Sequence, residues 1–577
     1  MRQARFFILI TTLILGSISF YLSLILLTHS YEDISHLQDI TYNNDAYPLA
    51  TNFTQLQYFV AQVVSTLTTG VACLALVSWY YQKQSAIRSE MAALTAEGCS
   101  ALNSVAATWR NLTKRERTTS IILLSGILLI RAFYLLSYPL GEDELNSYHL
   151  FASKGILYVS SYYPIPNNHV LYNTICYLAN KVNHNFYWAS RTPAFFISLI
   201  GTFTTYLLLL RFTNFTVAAF AIFLFCLSPY GLEYSFVGRG YFLLFCFVSL
   251  GFFSTIGLAT SQCKNRLYWF VLAASSILGI YTVPTYLYPF LSSLFILAIY
   301  FLWYRQWQNI TRLFLTTCLA ILGVLLLYFP IFCVSGLHAV IGNNYVAPPT
   351  NNFAWNDFIP YYHYIEGIII GQERVGLWID LAAVVLLALI YYTANYKSTF
   401  SIAPLLLSYL FTPFVITAIQ RVFAPARTLS YRVFFIYILL GIIYNSFQSS
   451  ILKLSKRSNL VAIVTIIIGY GSYQIYYLEK RAKPFRAKNQ QIAATYQWLI
   501  NKQAQRILVQ AEQYPLFLHH YAQQSAKPLV INTKVKAGVT YDYIVVQDKL
   551  KSPTLMPSAP FEVYTNGVVR IFSGPIR

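Results

Sequence analysis

Long apolar runs, separated by short polar or basic stretches, dominate the chain from residue 6 to residue 477. These runs do not alternate with period two over short segments, as the strands of a membrane barrel would, so helices remain. A helix needs roughly 20 residues to cross a hydrocarbon core. On that measure the candidate spans are 6–27, 56–80, 118–138, 190–211, 214–233, 238–259, 267–282, 284–303, 313–333, 377–395, 400–420, 431–449 and 459–477. The expected fold class is an all-α polytopic membrane protein with about 13 transmembrane helices. Arg2 and Arg5 precede the first run, which is longer than a secretory signal core and lacks a small-residue cleavage site. It reads as an anchor with a cytoplasmic N-terminus.

The pattern changes after residue 478. Residues 485–505 read as an amphipathic helix, followed by β-like runs at Ile507–Gln510, Pro528–Asn532, Tyr541–Gln547 and Phe561–Phe572. A helix-like piece, Glu512–Gln524, separates the first two. This alternation predicts a small C-terminal α/β domain. It contains no Gly-rich phosphate loop, so no nucleotide site is expected there.

Composition sharpens this picture. Only 10% of residues are charged, against about 25% in ordinary soluble domains. The net charge of +20 could signal nucleic-acid binding, but many cations flank apolar runs, so topology and lipid phosphates explain the excess better. No nucleic-acid partner is expected. Arg88, Arg110, Lys114, Arg115 and Arg117 follow the second span, and Lys264, Lys397 and Lys453 fall in later even-numbered connections. The positive-inside bias puts these in the cytoplasm. It puts outside the segments Pro139–Trp188 and Ser335–Gly376 and the C-terminal domain. The eight cysteines show no metal-ligand or disulfide spacing and read as small buried hydrophobes.

Candidate chemistry sits in the outer loops. Glu142, Asp143 and Glu144 follow the third span by a few residues. Crowded carboxylates repel, so at least one should have a raised pKa and could act as a proton acceptor. A solvated acidic loop is the plainer alternative. Next, Pro164 and Pro166 fix an extended approach to Asn167, Asn168 and His169, which open a helix-like stretch at 170–182. Such a polar cluster suits polyhydroxyl or phosphate recognition, or is a simple helix cap. Glu233, Arg239 and Tyr241 lie near the outer bilayer face, where ionisable groups pair or line a cavity. Arg421, Arg427 and Arg432 sit outside, against the charge bias, and guanidinium forks clamp phosphate.

Taken together, these segments resemble the C-type (GT-C) integral-membrane glycosyltransferases, in the branch of the protein O-mannosyltransferases and the lipid A aminoarabinose transferases. The carrying residues are Gly141-Glu-Asp-Glu144, Asn167-Asn-His169, Arg191-Thr-Pro-Ala and Arg239-Gly-Tyr241, in that order over residues 118–450. The resemblance implies sugar transfer from a polyprenyl-phosphate carrier to a lipid, glycan or protein acceptor on the exoplasmic side. It implies that the family's catalytic aspartate falls on Asp143 with Glu144 beside it, and that Arg239, Arg427 and Arg432 bind carrier phosphate; Glu142, Asn168, His169, Arg191, Glu233 and Tyr241 complete the expected substrate-binding set. Two extra N-terminal spans, and a C-terminal domain without an acceptor motif, depart from the family pattern.

The expected organisation is thus 1–117, two helices and a basic cytoplasmic loop; 118–478, a GT-C-like core; and 479–577, an exoplasmic α/β domain. The expected location is a plasma membrane, the inner membrane of a bacterium. The expected reaction is a single inverting displacement with Asp143 as base and arginine at the departing phosphate. The polyprenyl-phosphate carrier needs no nucleotide, and a divalent metal is left open, since His169, Glu142 and Glu144 could ligate one. The rival is a transporter or flippase of lipid-linked glycans, against which stand the lack of repeated halves and a surface-lying acidic cluster.

Overall fold

The computed structural model describes every residue except 1, 36, 40–46, 49–52, 83–84, 261–264, 342–352, 373, 394–401, 526, 528, 537, 548–560 and 577. Lys264, Lys397 and Pro528 therefore lie outside the described residues.

Each expected span falls on a helix. Among the described residues, nine helices are long and apolar enough to cross a membrane, so this is a multi-pass membrane protein. The other four expected spans are Phe215–Leu227, Arg266–Thr282, Leu377–Thr393 and Arg432–Phe447. They have 13, 17, 17 and 16 residues. At 1.5 Å per residue they rise roughly 20–26 Å, short of a ~30 Å hydrocarbon core. By length alone the expected count of 13 is not reached. Phe215–Leu227 lies along Arg432–Phe447 at the centre of the bundle, with Phe220 stacked on Tyr444 and Phe225 edge-on to Phe434. Nearly all of Phe215–Leu227 is buried by neighbouring helices.

Two segments differ from the sequence reading. The basic stretch after the second span is not a loop but a helix, Ala86–Arg110. Its Glu90 and Glu97 both grip Arg266 at the start of another helix. The stretch is rich in alanine, the best helix former, but too polar to register as an apolar run. The last span and the amphipathic segment at 485–505 are one helix, Lys456–Asn501. Its 46 residues span roughly 70 Å, so it must project well beyond a bilayer. Pro484 sits inside it without ending it. The core and the C-terminal domain therefore share a continuous rod.

The C-terminal domain is a five-stranded mixed sheet. Its strands are β1 (Arg506–Gln510), β2 (Val530–Asn532), β3 (Tyr541–Gln547), β4 (Phe561–Thr565) and β5 (Val569–Ile576), in the order β2-β1-β3-β5-β4. β1 pairs in parallel with β2 and β3, and β5 pairs antiparallel with β3 and β4. The single run expected at Phe561–Phe572 is a hairpin. It turns at Asn566-Gly567, where Gly567 takes φ 79° and the Asn566 side chain accepts from the amides of Val568 and Val569. Asn-Gly is the standard signal for such a turn.

The segment between the helices Lys114–Ser137 and Thr192–Phe212 contains a chain of short helices: Glu142–Asn146, the wide turn Ser147–Ala152, Ile156–Ser161 and Val170–Val182. The helix Tyr514–Gln524 of the C-terminal domain packs against Glu142–Asn146. The acidic helix is thus held between the membrane bundle and the C-terminal domain.

Candidate active site

Glu142–Asn146 is one helical turn, so its three acids point in different directions. Glu144 points inward. Its carboxylate accepts Arg191 Nε at 3.0 Å and, more closely, Arg191 Nη2. It also accepts the amides of Gly141 at 3.0 Å and Gly238 at 3.2 Å. Arg191 is completed by the carbonyls of Leu135, Tyr138 and Pro139 at 2.9–3.1 Å. Both side chains are fully buried. A buried pair survives only when the remaining donors and acceptors are satisfied as well, and here they are. Arg191 thereby ties the end of the helix Lys114–Ser137 to the acidic turn.

Asp143 points outward. Its Oδ2 lies 3.3 Å from Arg427 Nη1, and the two side chains are 43% and 40% exposed. Its backbone carbonyl is fixed from below by Arg239 Nη1 at 3.2 Å and Asn167 Nδ2 at 3.1 Å. Glu142 lies at the edge that faces Lys488 and Glu512 of the C-terminal side. Partial desolvation, and then the neighbouring Asp143, raise its carboxyl above the ordinary range. The carboxylate crowding read from the sequence thus acts on Glu142.

Arg239 is 2% exposed. Its Nη1 also donates to Ser147 Oγ and to the Asn167 carbonyl at 3.0 Å. Nη2 stands 3.2 Å from His169 Nε2, while His169 Nδ1 accepts from the Gly240 amide at 2.9 Å. A neutral imidazole has one accepting nitrogen, so with Nδ1 taken, Nε2 carries a hydrogen toward the guanidinium. Burial first, then Arg239 and Arg427, push His169 well below the usual histidine pKa. Arg239 Nε has no partner among the described residues. The His169 ring meets Tyr241 edge-on at 4.5 Å, and the Tyr241 hydroxyl accepts from Arg427 Nε at 2.9 Å. Asp143, Arg427, Tyr241, His169 and Arg239 form one connected cluster.

Three candidates lie differently. Asn168 braces the loop, donating to the Val159 and Tyr162 carbonyls and accepting from Asn173. Glu233 does not pair with Arg239; it faces Arg481 of the long helix at 3.6 Å. Arg432 is fully buried apart from the cluster, paired with Glu366 and with Asp380 at 3.4 Å. His169, Glu142 and Glu144 do not converge, and no metal-holding group of three such side chains occurs among the described residues. Sequence reasoning missed Ser147, Arg481, Glu366 and Asp380. The last two carried a usable signal, since each is an isolated acid in an apolar run, where ionisable groups must find a partner.

Neither a family model nor a curated protein matches the chain. Solved structures do. ArnT from Cupriavidus metallidurans, bound to undecaprenyl phosphate, superposes with a TM-score of 0.52 at 14% identity, over 79% of this chain and 98% of that one. The chain has the GT-C fold. The apo state of the same ArnT gives a TM-score of 0.50 over the same coverage. The arabinosyltransferase EmbB from Mycobacterium smegmatis matches at a TM-score of 0.36 and 13% identity, over 69% of this chain and 34% of that one, which is too distant to carry weight. At these identities the likeness concerns the fold. It agrees with the resemblance read from the acidic, Asn-Asn-His and Arg-Thr-Pro segments.

Proposed function

We propose that this protein is a membrane glycosyltransferase that moves a sugar from a polyprenyl-phosphate carrier to an acceptor on the outer face, by inverting displacement. The observation that carries the proposal is the Asp143–Arg427 contact at 3.3 Å, half exposed, above a buried layer that fixes the Asp143 backbone. A base must reach a substrate proton, and a phosphate clamp must reach the carrier; this pair has the access for both. The GT-C fold supports the reading, and ArnT, which shares it, was solved with undecaprenyl phosphate.

In this mechanism the carrier phosphate draws Arg427 away from Asp143. The freed carboxylate takes the proton of an acceptor hydroxyl or amine. The acceptor attacks the anomeric carbon, and the carbon–oxygen bond to phosphate breaks with its electron pair on the phosphate oxygen. Arg427, with Tyr241 holding its Nε, balances the charge that develops there. Arg239 and Asn167 fix the Asp143 carbonyl, so the acid cannot swing away as its ion pair opens. Glu144 has no role as a base, because Arg191 and two amides occupy its oxygens.

The test is transfer from a polyprenyl-phosphate sugar by the purified full-length protein in lipid. Asp143→Asn should lower transfer about 10²–10⁴-fold without loss of folded protein. Wild-type rates in that variant would refute the assignment.

A further inference from the structure

Three of the chain's nine histidines meet where the C-terminal domain touches the acidic segment. His149 lies in the turn Ser147–Ala152, directly after the helix that carries Asp143. His149 Nε2 is 3.1 Å from His520 Nδ1, on the helix Tyr514–Gln524. The two residues are 2% and 3% exposed. The His519 ring meets His149 edge-on at 5.2 Å. Phe186 closes the other side, edge-on to His520 at 5.0 Å and to Tyr148 at 5.3 Å. Two apolar side chains would fill this space with no dependence on pH. An imidazole pair instead makes the contact conditional, because one ring nitrogen must donate and the other must accept.

The charged groups that bear on these rings are Lys154 from the same loop, Arg191 from the core, and the rings themselves. All push toward the neutral form. Burial is the larger cause, holding His520 and His519 down to about 4 and His149 well below its usual value. The contact also has leverage. Ser147, two residues before His149, takes a hydrogen bond from Arg239, which in turn holds the Asp143 carbonyl. Across the same interface the Asn489 side chain donates to the Leu140 carbonyl at 3.1 Å, just ahead of the acidic helix.

We propose that His149 and His520 are positioning residues forming a proton-sensitive clamp, through which the C-terminal domain holds the Asp143 helix in its working geometry. This rests on the reading of Asp143 as the base. The sign follows from linkage. Both clamp histidines have docked pKa values below the free value near 6.5, so an undocked interface binds more protons. Docking is at full strength above about pH 6.5 and is lost progressively as pH falls toward 4. For a single group moved from 6.5 to about 4, docking at pH 5 is roughly thirtyfold weaker than at pH 7.5.

The experiment is hydrogen exchange on the full-length protein in lipid nanodiscs, with protection factors corrected for intrinsic rate. Amides 142–152 and 514–524 are followed at pH 7.5 and pH 5 in wild type and in H149Q/H520Q, where the glutamines keep the hydrogen bond but cannot titrate. Wild type should lose protection in both segments roughly tenfold or more, and the double variant should stay level. A level wild-type profile, or a drop of equal size in both proteins, overturns the clamp. Should the double variant fail to fold, histidine ring NMR titration of wild type decides: apparent pKa values near 6.5 for His149 and His520 overturn it, and depressed values support it. Asp143→Asn separates this from the functional reading. Transfer that survives in Asp143→Asn while protection still falls with acid removes the base and leaves the clamp. Transfer lost in Asp143→Asn with pH-independent protection does the reverse.

Discussion

The Glu144–Arg191 region and the Asp143–Arg427 region sit one residue apart on the same helical turn. Each joins a carboxylate to a guanidinium. The first is sealed from solvent and saturated by five backbone carbonyl or amide groups beyond its most direct contacts. The second has one carboxylate oxygen on one guanidinium nitrogen, and both side chains are partly exposed. The first contributes structure, because its desolvation has been offset and any change leaves an uncompensated charge. The second stores little energy, because solvent screens it, and so it can be exchanged for a substrate at small cost. On the proposed mechanism, a site that must be rigid and yet reactive divides these tasks between neighbouring acids.

This comparison can be broken or sharpened by substitution. The largest effect is expected from Asp143→Asn. Transfer should fall about 10²–10⁴-fold, the usual worth of a general base, while thermal unfolding moves little. Next comes Glu144→Ala, which strands Arg191 in the interior. Unfolding in detergent should show about 3–5 kcal/mol of lost stability. The double variant Glu144→Leu with Arg191→Met should recover only part of that loss, since it removes the stranded charge but leaves the backbone groups that the pair had satisfied without partners. Failure of that recovery would give the pair a role beyond burial.

A smaller effect is expected at Arg427. Arg427→Ala should change stability by less than about 1 kcal/mol, as for exposed ion pairs. Losing a charged hydrogen bond to the carrier phosphate should raise KM for the donor about 10–100-fold. Equal loss of stability and activity would place Arg427 with the buried layer instead. The smallest effect concerns Glu142. Its raised pKa means the folded state holds a proton the unfolded chain has released. That contribution is complete below about pH 4.5 and is lost as pH rises through the folded value. Melting curves from pH 4 to 7 should show wild type losing this increment and Glu142→Gln lacking the slope.

Much of the fold was legible before any coordinates. Apolar runs marked every helix long and apolar enough to cross a membrane, because lipid imposes a single requirement, backbone bonds satisfied within the segment. Polar helices were harder. Ala86–Arg110 has little apolar contrast with its surroundings, and its partner Arg266 lies far along the chain. The hairpin at Asn566-Gly567 has its signal in that dipeptide, although the β-like run on either side of it reads as one continuous strand. Within the candidate site, Gly141-Glu-Asp-Glu144 and Asn167-Asn-His169 pointed to the right loops. Which acid faces out did not follow from them, because a helical turn rotates each residue by about 100° and only the packed surroundings fix the starting direction. Arg432 illustrates the same gap. Near an outer loop it read as a phosphate ligand, and tertiary packing gave it Glu366 and Asp380.

The sequence by itself determined that this protein lives in a membrane, where its helices run, and which loops concentrate ionisable residues. Those are local properties, set by transfer energies and by spacing along the chain. Tertiary structure alone decided that Glu144 is sealed and Asp143 open, and that Glu233 turns to Arg481 rather than Arg239. It also decided that three histidines from two distant segments share one interface. Each of these depends on groups some 50 to 370 positions apart meeting in a medium of low dielectric, where the nearest partner fixes the charge state and no local pattern records it.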